Sequence, residues 1–473
     1  MVWEEGRIER DGHVAPMRGG WRLALVAALA TLGLGLAVLP SVTSAVLLTA
    51  IAVTLVAVSR PTWLIAFVFA SIPLQIFVLD VGNVGLAPVQ MVTILAAVLF
   101  GVEMLATGRF ETPRTSLDVW VFLWLAVGFL GAIGAHDPTA AIKKAGMTVF
   151  FAVLYYFVVA KVRRIETIPM LMKVLTASCV TVGAYGIWVS YQYLALGEVV
   201  GGAVIVGSEG LAVPRAGSTL GNPTVLGGLM VIGVPIAVML IATTKGWQRI
   251  AAIVSAAVII VTLGFTFTRG AWLGGAVALL ILVLERKSRN VLVGVVLLVA
   301  LLSPGAVLDR ATSSTQLGRA EISHRFDYWA GAVLIGEQYP LFGAGIDNFR
   351  YAFARLPVPQ TATREVGHPH NLALDLFAET GMVGLISFGA LMVGSLVMLL
   401  RRRRFDPNPT RRIWRLAIAA AIIGSLVEQT TDSMLLEPFW NAVMWIFFGL
   451  AVVMATRLTD DHDQRPVEAG TQA

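Results

Sequence analysis

The chain has 473 residues, 57% hydrophobic and only 14% charged, with a mean hydropathy of +0.79. A soluble domain is about a quarter charged and about half apolar, so lipid must cover much of this surface and a water-soluble globule is excluded. The net charge of +6 does not indicate nucleic acid, because no basic patch is interleaved with stacking aromatics. The single cysteine, Cys179, excludes an intrachain disulfide and a cysteine metal cluster.

Arg18 and Arg22 precede an apolar run from Leu23 to Leu39. That run is longer than the roughly 7–15-residue core of a cleaved signal, and a second follows at once, so a retained first span is expected. Taking about 20 apolar residues per spanning helix, the chain predicts spans near 22–39, 42–58, 63–79, 88–106, 117–133, 147–160, 168–195, 224–242, 250–266, 270–284, 291–306, 382–400, 413–430 and 438–455. The expected fold is an all-α integral membrane protein with about 12–14 transmembrane helices. Its expected parts are a cytoplasmic segment 1–21, a transmembrane helical region 22–306, a large external loop 307–381, C-terminal transmembrane helices 382–455 and a polar cytoplasmic tail 456–473.

Most of the 35 basic residues fall in alternate connections and in the two tails. The bias of Lys and Arg toward cytoplasmic loops then puts both termini inside and the 307–381 loop outside. A connection of that length is functional or disordered, and this one carries enough aromatic and apolar residues to fold. Ile322, Phe326, Trp329, Ala330 and Val333 recur at helical spacing beside Arg319, Arg325 and Asp327, as in an amphipathic helix lying on the membrane surface.

Four basic residues break the topological bias by facing outward from short connections: Lys143, Lys144, Arg215 and Arg269. For the two lysines, contact with headgroups is the favoured reading. Arg269 lies in Phe267-Thr268-Arg269-Gly270, between two apolar runs, where an arginine is costly unless it is paired or lines a polar cavity. Arg215 stands in a glycine-rich run that opens a span. Two readings remain for each arginine. One is snorkelling to the outer headgroups; the other is a site for a phosphorylated lipid, which a guanidinium fork grips bidentately at any working pH.

His136, His324, His368 and His370 also face outward, the last two in Gly367-His368-Pro369-His370-Asn371, just before the long loop re-enters the membrane. A His-x-His pair can ligate a metal, but no third ligand of matching spacing follows. Acid–base work is favoured over a plain loop histidine, because an imidazole titrates near neutral pH and can take a proton from a hydroxyl.

These residues resemble the O-antigen ligase and O-antigen polymerase superfamily of bacterial membrane glycosyltransferases. The stretch HNLALDLFAETGMVG, with His370, Asn371, Gly381 and Gly384, is close to that family's H-N-x9-G-x-x-G pattern. Leu341-Phe342-Gly343-Ala344-Gly345 with Asn348-Phe349 resembles its PLFGxGxxNF segment, and Thr268-Arg269-Gly270-Ala271-Trp272 its S/T-R-G-A-W element. Arg215 through Pro223 is similar to its G-T-F-G-N-P element, with Ser218-Thr219-Leu220 as a departure. The resemblance is specific from about residue 210 to 400 and rests on hydropathy alone before 200.

The resemblance implies a fold like that of other lipid-dependent glycosyltransferases of the C type, set in the bacterial inner membrane with the active site facing the periplasm. The donor would be a glycan on undecaprenyl pyrophosphate, and the acceptor lipid A-core, a second lipid-linked glycan or a protein hydroxyl. His370 would be the catalytic base. Arg269 and Arg215, with Arg325 as a weaker third candidate, would hold the pyrophosphate, and His368, Asn371, Gly343, Gly345, Gly381 and Gly384 would support the site. No metal or other cofactor is implied. The alternative from another class is a transporter or flippase of lipid-linked saccharides, although the chain shows no repeated halves and few midplane charges, Lys173 and Glu103 the main ones.

Overall fold

The computed structural model describes residues 60–81, 84–108, 113–197, 203–206, 213–285, 316–357, 366–401 and 403–456, with the single residues 201 and 289. The expected spans 22–39, 42–58 and 291–306 lie outside the described residues. In chain order the helices are α1 (Thr62–Ala70), α2 (Pro88–Thr107), α3 (Asp118–Ile133), α4 (Pro138–Lys161), α5 (Thr167–Leu196), α6 (Pro223–Thr243), α7 (Gly246–Phe265), α8 (Arg269–Leu282), α9 (Gln316–Gln338), α10 (Phe349–Phe353), α11 (Leu372–Leu400), α12 (Pro409–Glu428) and α13 (Pro438–Thr456). Two small antiparallel hairpins complete the architecture: β1 (Leu79–Val81) with β2 (Val84–Leu86), and β3 (Ala203–Val206) with β4 (Val213–Ala216).

The chain is an all-α membrane protein. Among the described residues, seven helices are long and apolar enough to cross a bilayer, and α3 and α8 are shorter apolar helices. α6 and α13 are buried along most of their length, whereas α2 and α7 present most of theirs outward. The outward residues include Leu105, Phe122, Ile250, Leu273, Leu280 and Val393, a girdle of apolar side chains that water would not tolerate and lipid would cover.

The run 63–79 is not a full span. α1 ends at Ala70, a 3-10 turn over Ile72–Leu74 follows, and a turn through residues 75–78 leads into the β1–β2 hairpin, which begins at Leu79. Pro73 offers no amide to extend α1 and fixes its own backbone, so the apolar run breaks there. α4 begins at Pro138, capped by the Asp137 side chain, which accepts from the Ala140 amide at 3.0 Å. Lys143 and Lys144 therefore stand on the early turns of α4 and not in a short connection.

α8, α11 and α12 give the bundle two unlike ends. At one end Arg403 Nη1 lies 3.1 Å from Glu285, and Arg411 and Arg415 both bond Asp406. Arg415 also donates to the carbonyls of Leu399, Met398 and Arg401, satisfying the C-terminus of α11. The other end carries the N-termini of α8 and α11 and the C-terminus of α12, and over it sits a second, separate apolar core. That core joins Tyr328, Ala332 and Ile335 of α9 to Phe349 and Phe353 of α10 and to Ala378. α9 thus buries the face bearing Tyr328, Ala332 and Ile335. Phe326, Ala330 and Val333, from the expected amphipathic stripe, are exposed on the opposite side.

Candidate active site

The last segment before α11 is shaped by its backbone. His370 has φ +54°, a left-handed conformation uncommon for any residue but glycine. It persists because the next two residues, Asn371 and Leu372, are tied to the loop after α12. The Leu372 amide donates to the Gln429 carbonyl at 2.9 Å, and Asn371 Nδ2 to the Thr430 carbonyl at 3.0 Å. Asn371 Oδ1 also caps α11 by accepting from the Leu374 amide. These ties set the His370 ring beside Asp432, with Nδ1 3.0 Å from Oδ1. The same carboxylate oxygen lies 3.6 Å from His368 Nε2 and accepts from the Ser433 amide at 2.8 Å.

Asp432 is a candidate site residue that sequence reading missed. Burial alone would raise its carboxyl, but the His370 hydrogen bond, the charges of His368 and His370 and the Ser433 amide outweigh burial and hold it below the ordinary carboxylate range. For His368, burial dominates; the Asp432 charge opposes it, while His370 and Arg325 add to it. His368 is thus held below the usual imidazole range. Arg325, on α9, is one of the charges acting on His368.

Asp432 is in addition the third ligand that the spacing around His368 and His370 did not reveal. Among the described residues these three form one group whose donor atoms all lie within 4.8 Å of one another, a set that could hold a divalent ion.

The arginines come in from the other side. Arg215 lies on β4; its Nε donates to the Thr266 carbonyl at 3.0 Å and its Nη2 to Thr268 Oγ1 at 2.9 Å. Thr268 is the N-cap of α8, and Arg269 is its exposed first residue. The arginine that looked like part of a glycine-rich loop is therefore bonded to the segment that launches the second arginine. α8 in turn packs closely on α12. A Cβ on Gly270 would fall 1.9 Å from Thr431 Oγ1, and one on Gly274 would fall 2.5 Å from the Gly424 carbonyl oxygen. Arg269 thus neighbours the residue that adjoins Thr431, which itself precedes Asp432. Arg215, Arg269, Asp432 and His370 form one continuous arrangement across β4, α8, the α12–α13 connection and the start of α11.

The glycines of the motif have a structural part in this arrangement. α11 breaks at Gly381 (φ +64°, ψ −168°), and the freed amides of Met382 and Val383 bond the carbonyls of Pro340 and Leu341. On the facing strand of chain, the amides of Ala344 and Gly345 bond the carbonyls of Ala378 and Glu379. The Glu379 carboxylate accepts from the amides of Asp347 and Phe349, both at 2.9 Å. Gly343 and Gly345 also have positive φ, and a Cβ on Gly343 would sit 2.2 Å from the Glu379 carbonyl carbon. Gly384 is closed in by the Thr380 side chain. Gly381→Ala, whose Cβ would meet the Leu341 carbonyl carbon at 2.4 Å, should destabilise the fold by at least ~1–3 kcal/mol. The measurement is the thermal unfolding midpoint of the purified variant; a midpoint equal to that of the wild type would show that the break is not needed.

No curated protein matches the chain. Residues 254–389 match the family model described as O-antigen ligase, a stretch that contains Arg269, Arg325, His368 and His370 and leaves Arg215 and Asp432 outside it. That stretch, less than a third of the chain, is similar to the O-antigen ligase family.

Proposed function

We propose that the chain is an inverting glycosyltransferase, acting without a metal at the periplasmic face of a bacterial inner membrane with both its termini in the cytoplasm. It moves a glycan from undecaprenyl pyrophosphate to an acceptor hydroxyl. The similarity of residues 254–389 to the O-antigen ligase family supports a lipid-linked glycan transferase. The acceptor is lipid A-core in a ligase or a second lipid-linked glycan in a polymerase, and both belong to lipopolysaccharide and surface-polysaccharide biosynthesis.

The observation that carries the proposal is the His370–Asp432 pair beside the segment that holds both arginines. With its Nδ1–H donated to Asp432, His370 presents Nε2 as a proton acceptor. The acceptor hydroxyl gives its proton to Nε2 as its oxygen bonds to the anomeric carbon. The bond from that carbon to the pyrophosphate oxygen breaks on the opposite face, and the electron pair leaves with undecaprenyl pyrophosphate. One displacement of this kind inverts the anomeric configuration. Arg269 and Arg215 hold the pyrophosphate and stabilise the charge that grows on it, with Arg325 at the rim. Asp432 holds the imidazole in one tautomer and offsets the positive charge it acquires.

The test is transfer by purified protein in detergent, given the lipid-linked donor, either acceptor lipid and EDTA. Transfer in EDTA is the expected result. Detergent offers no second compartment, so donor binding without transfer to either acceptor would favour a transporter. Activity lost in EDTA and restored by zinc would make His368, His370 and Asp432 a metal centre and sink the proton-transfer scheme.

A further inference from the structure

A cavity of about 370 Å³ opens beside the candidate active site, lined by Gln75, Lys144, Thr219, Leu436, Glu437 and Phe439 among others. Two chain segments link it to that site. Thr219 follows Arg215 by one turn of chain, through the 3-10 turn Ser218–Leu220, and Glu437 follows Asp432 in the connection to α13. Ser218 fixes the first segment, with its hydroxyl bonded to the Val182 carbonyl at 2.6 Å. The cavity therefore lies where the arginine-bearing segment and the aspartate-bearing segment both lead.

Its lining has a particular chemistry. Gln75 Nε2 and Thr219 Oγ1 are buried and have no hydrogen-bond partner among the described residues, a costly condition that a ligand with matching polar groups would relieve. Glu437 is pushed up by burial, with the Lys144 charge opposing the shift. Lys144 Nζ in turn lies 3.9 Å from the Asp347 carboxylate. The charges are thus balanced, and among the described residues no arginine lines the space, so the lining does not suit a phosphate. Val78, Leu220, Leu436 and Phe439 supply apolar walls. Amide, hydroxyl and carboxyl groups over an apolar wall match a sugar ring, whose hydroxyls donate and accept while its C–H faces need apolar cover.

We propose that this cavity is a saccharide subsite, in which Gln75, Thr219 and Glu437 hold a hydroxyl-bearing sugar ring of one of the two substrates next to the reacting centre. The inference rests on the glycan-transfer reading. The ring belongs either to the donor glycan or to the acceptor, and kinetics separate the two.

The variants are Glu437→Gln, which keeps shape and removes charge, Gln75→Leu and Thr219→Val, with Thr219→Ser as the conservative control. The expected result is a rise of about tenfold or more in KM for one substrate, with a much smaller change in kcat, and recovery in Thr219→Ser. A rise confined to the acceptor assigns the ring to the acceptor, and a rise confined to the donor assigns it to the donor. A second measurement does not depend on turnover. Purified wild type and variants are titrated calorimetrically with the lipid-linked donor and, separately, with the acceptor lipid, and Kd should rise in the same direction. Unchanged KM and Kd for both substrates in Glu437→Gln and Gln75→Leu would overturn the subsite. If wild type binds both lipids yet transfers nothing, the transfer reading fails, and the titrations still decide whether the cavity holds sugar.

Discussion

His370→Ala should insert and fold like the wild type and lose glycan transfer, with the rate reduced by about 10²–10⁴-fold or more, the range associated with a positioned general base. The ties that place residue 370 run through Asn371 and Leu372, not through the imidazole, so removing the ring leaves the backbone arrangement in place. Asp432→Asn should fall between this variant and wild type, because the base remains but loses the partner that fixes its tautomer. Asp432 is held below its ordinary range, so it remains a carboxylate at the working pH, and an amide at 432 removes that charge. Wild-type rates in His370→Ala would end the general-base role, and a wild-type rate in Asp432→Asn would reduce Asp432 to a structural contact.

Arg269→Lys should cost about 10²–10³-fold in kcat, the loss found when one electrostatic stabiliser is removed from a transition state. The charge survives in this variant and the planar fork does not, so retained activity would mean that Arg269 touches headgroups and not a reacting pyrophosphate. Arg215→Lys should be affected differently. The Arg215 side chain also braces the Thr266 carbonyl and the Thr268 hydroxyl, so its loss should lower the unfolding midpoint as well as the rate. Thermal unfolding in detergent beside initial-rate kinetics measures both.

Much of this arrangement was legible in the sequence, because composition, run length and short motifs are local properties. The apolar runs located most of the helices, and α5, α6 and α13 begin and end within a residue or two of expectation. The broken run at 63–79 needed the effect of Pro73 to be weighed above hydropathy. Asp432 was out of reach for another reason. It lies far along the chain from His370, at the edge of an apolar span, and only the ties of Asn371 to Thr430 and of Leu372 to Gln429 bring the two together. The bond from Arg215 to Thr268 is likewise long-range. The motif glycines were visible as a pattern, but their reason was not. Gly343 and Gly381 let two backbones bond each other at a helix break, and no sequence rule states which carbonyls they meet.

The break at Gly381 also acts as a depth gauge. From Met382 to Leu400 the helix rises about 28 Å at ~1.5 Å per residue, close to the roughly 30 Å of bilayer hydrocarbon. In the proposed orientation the half-helix before the break, from Leu372 to Thr380, stands at the level of the headgroups, with His370 just before its first turn. A polyprenyl pyrophosphate carries its phosphates at that same level while its tail stays among the acyl chains. The reacting bond can thus reach the site without the lipid being lifted from the membrane. Selection by this protein would then fall on the head of its donor, and a shorter or longer isoprenoid tail should serve almost equally well.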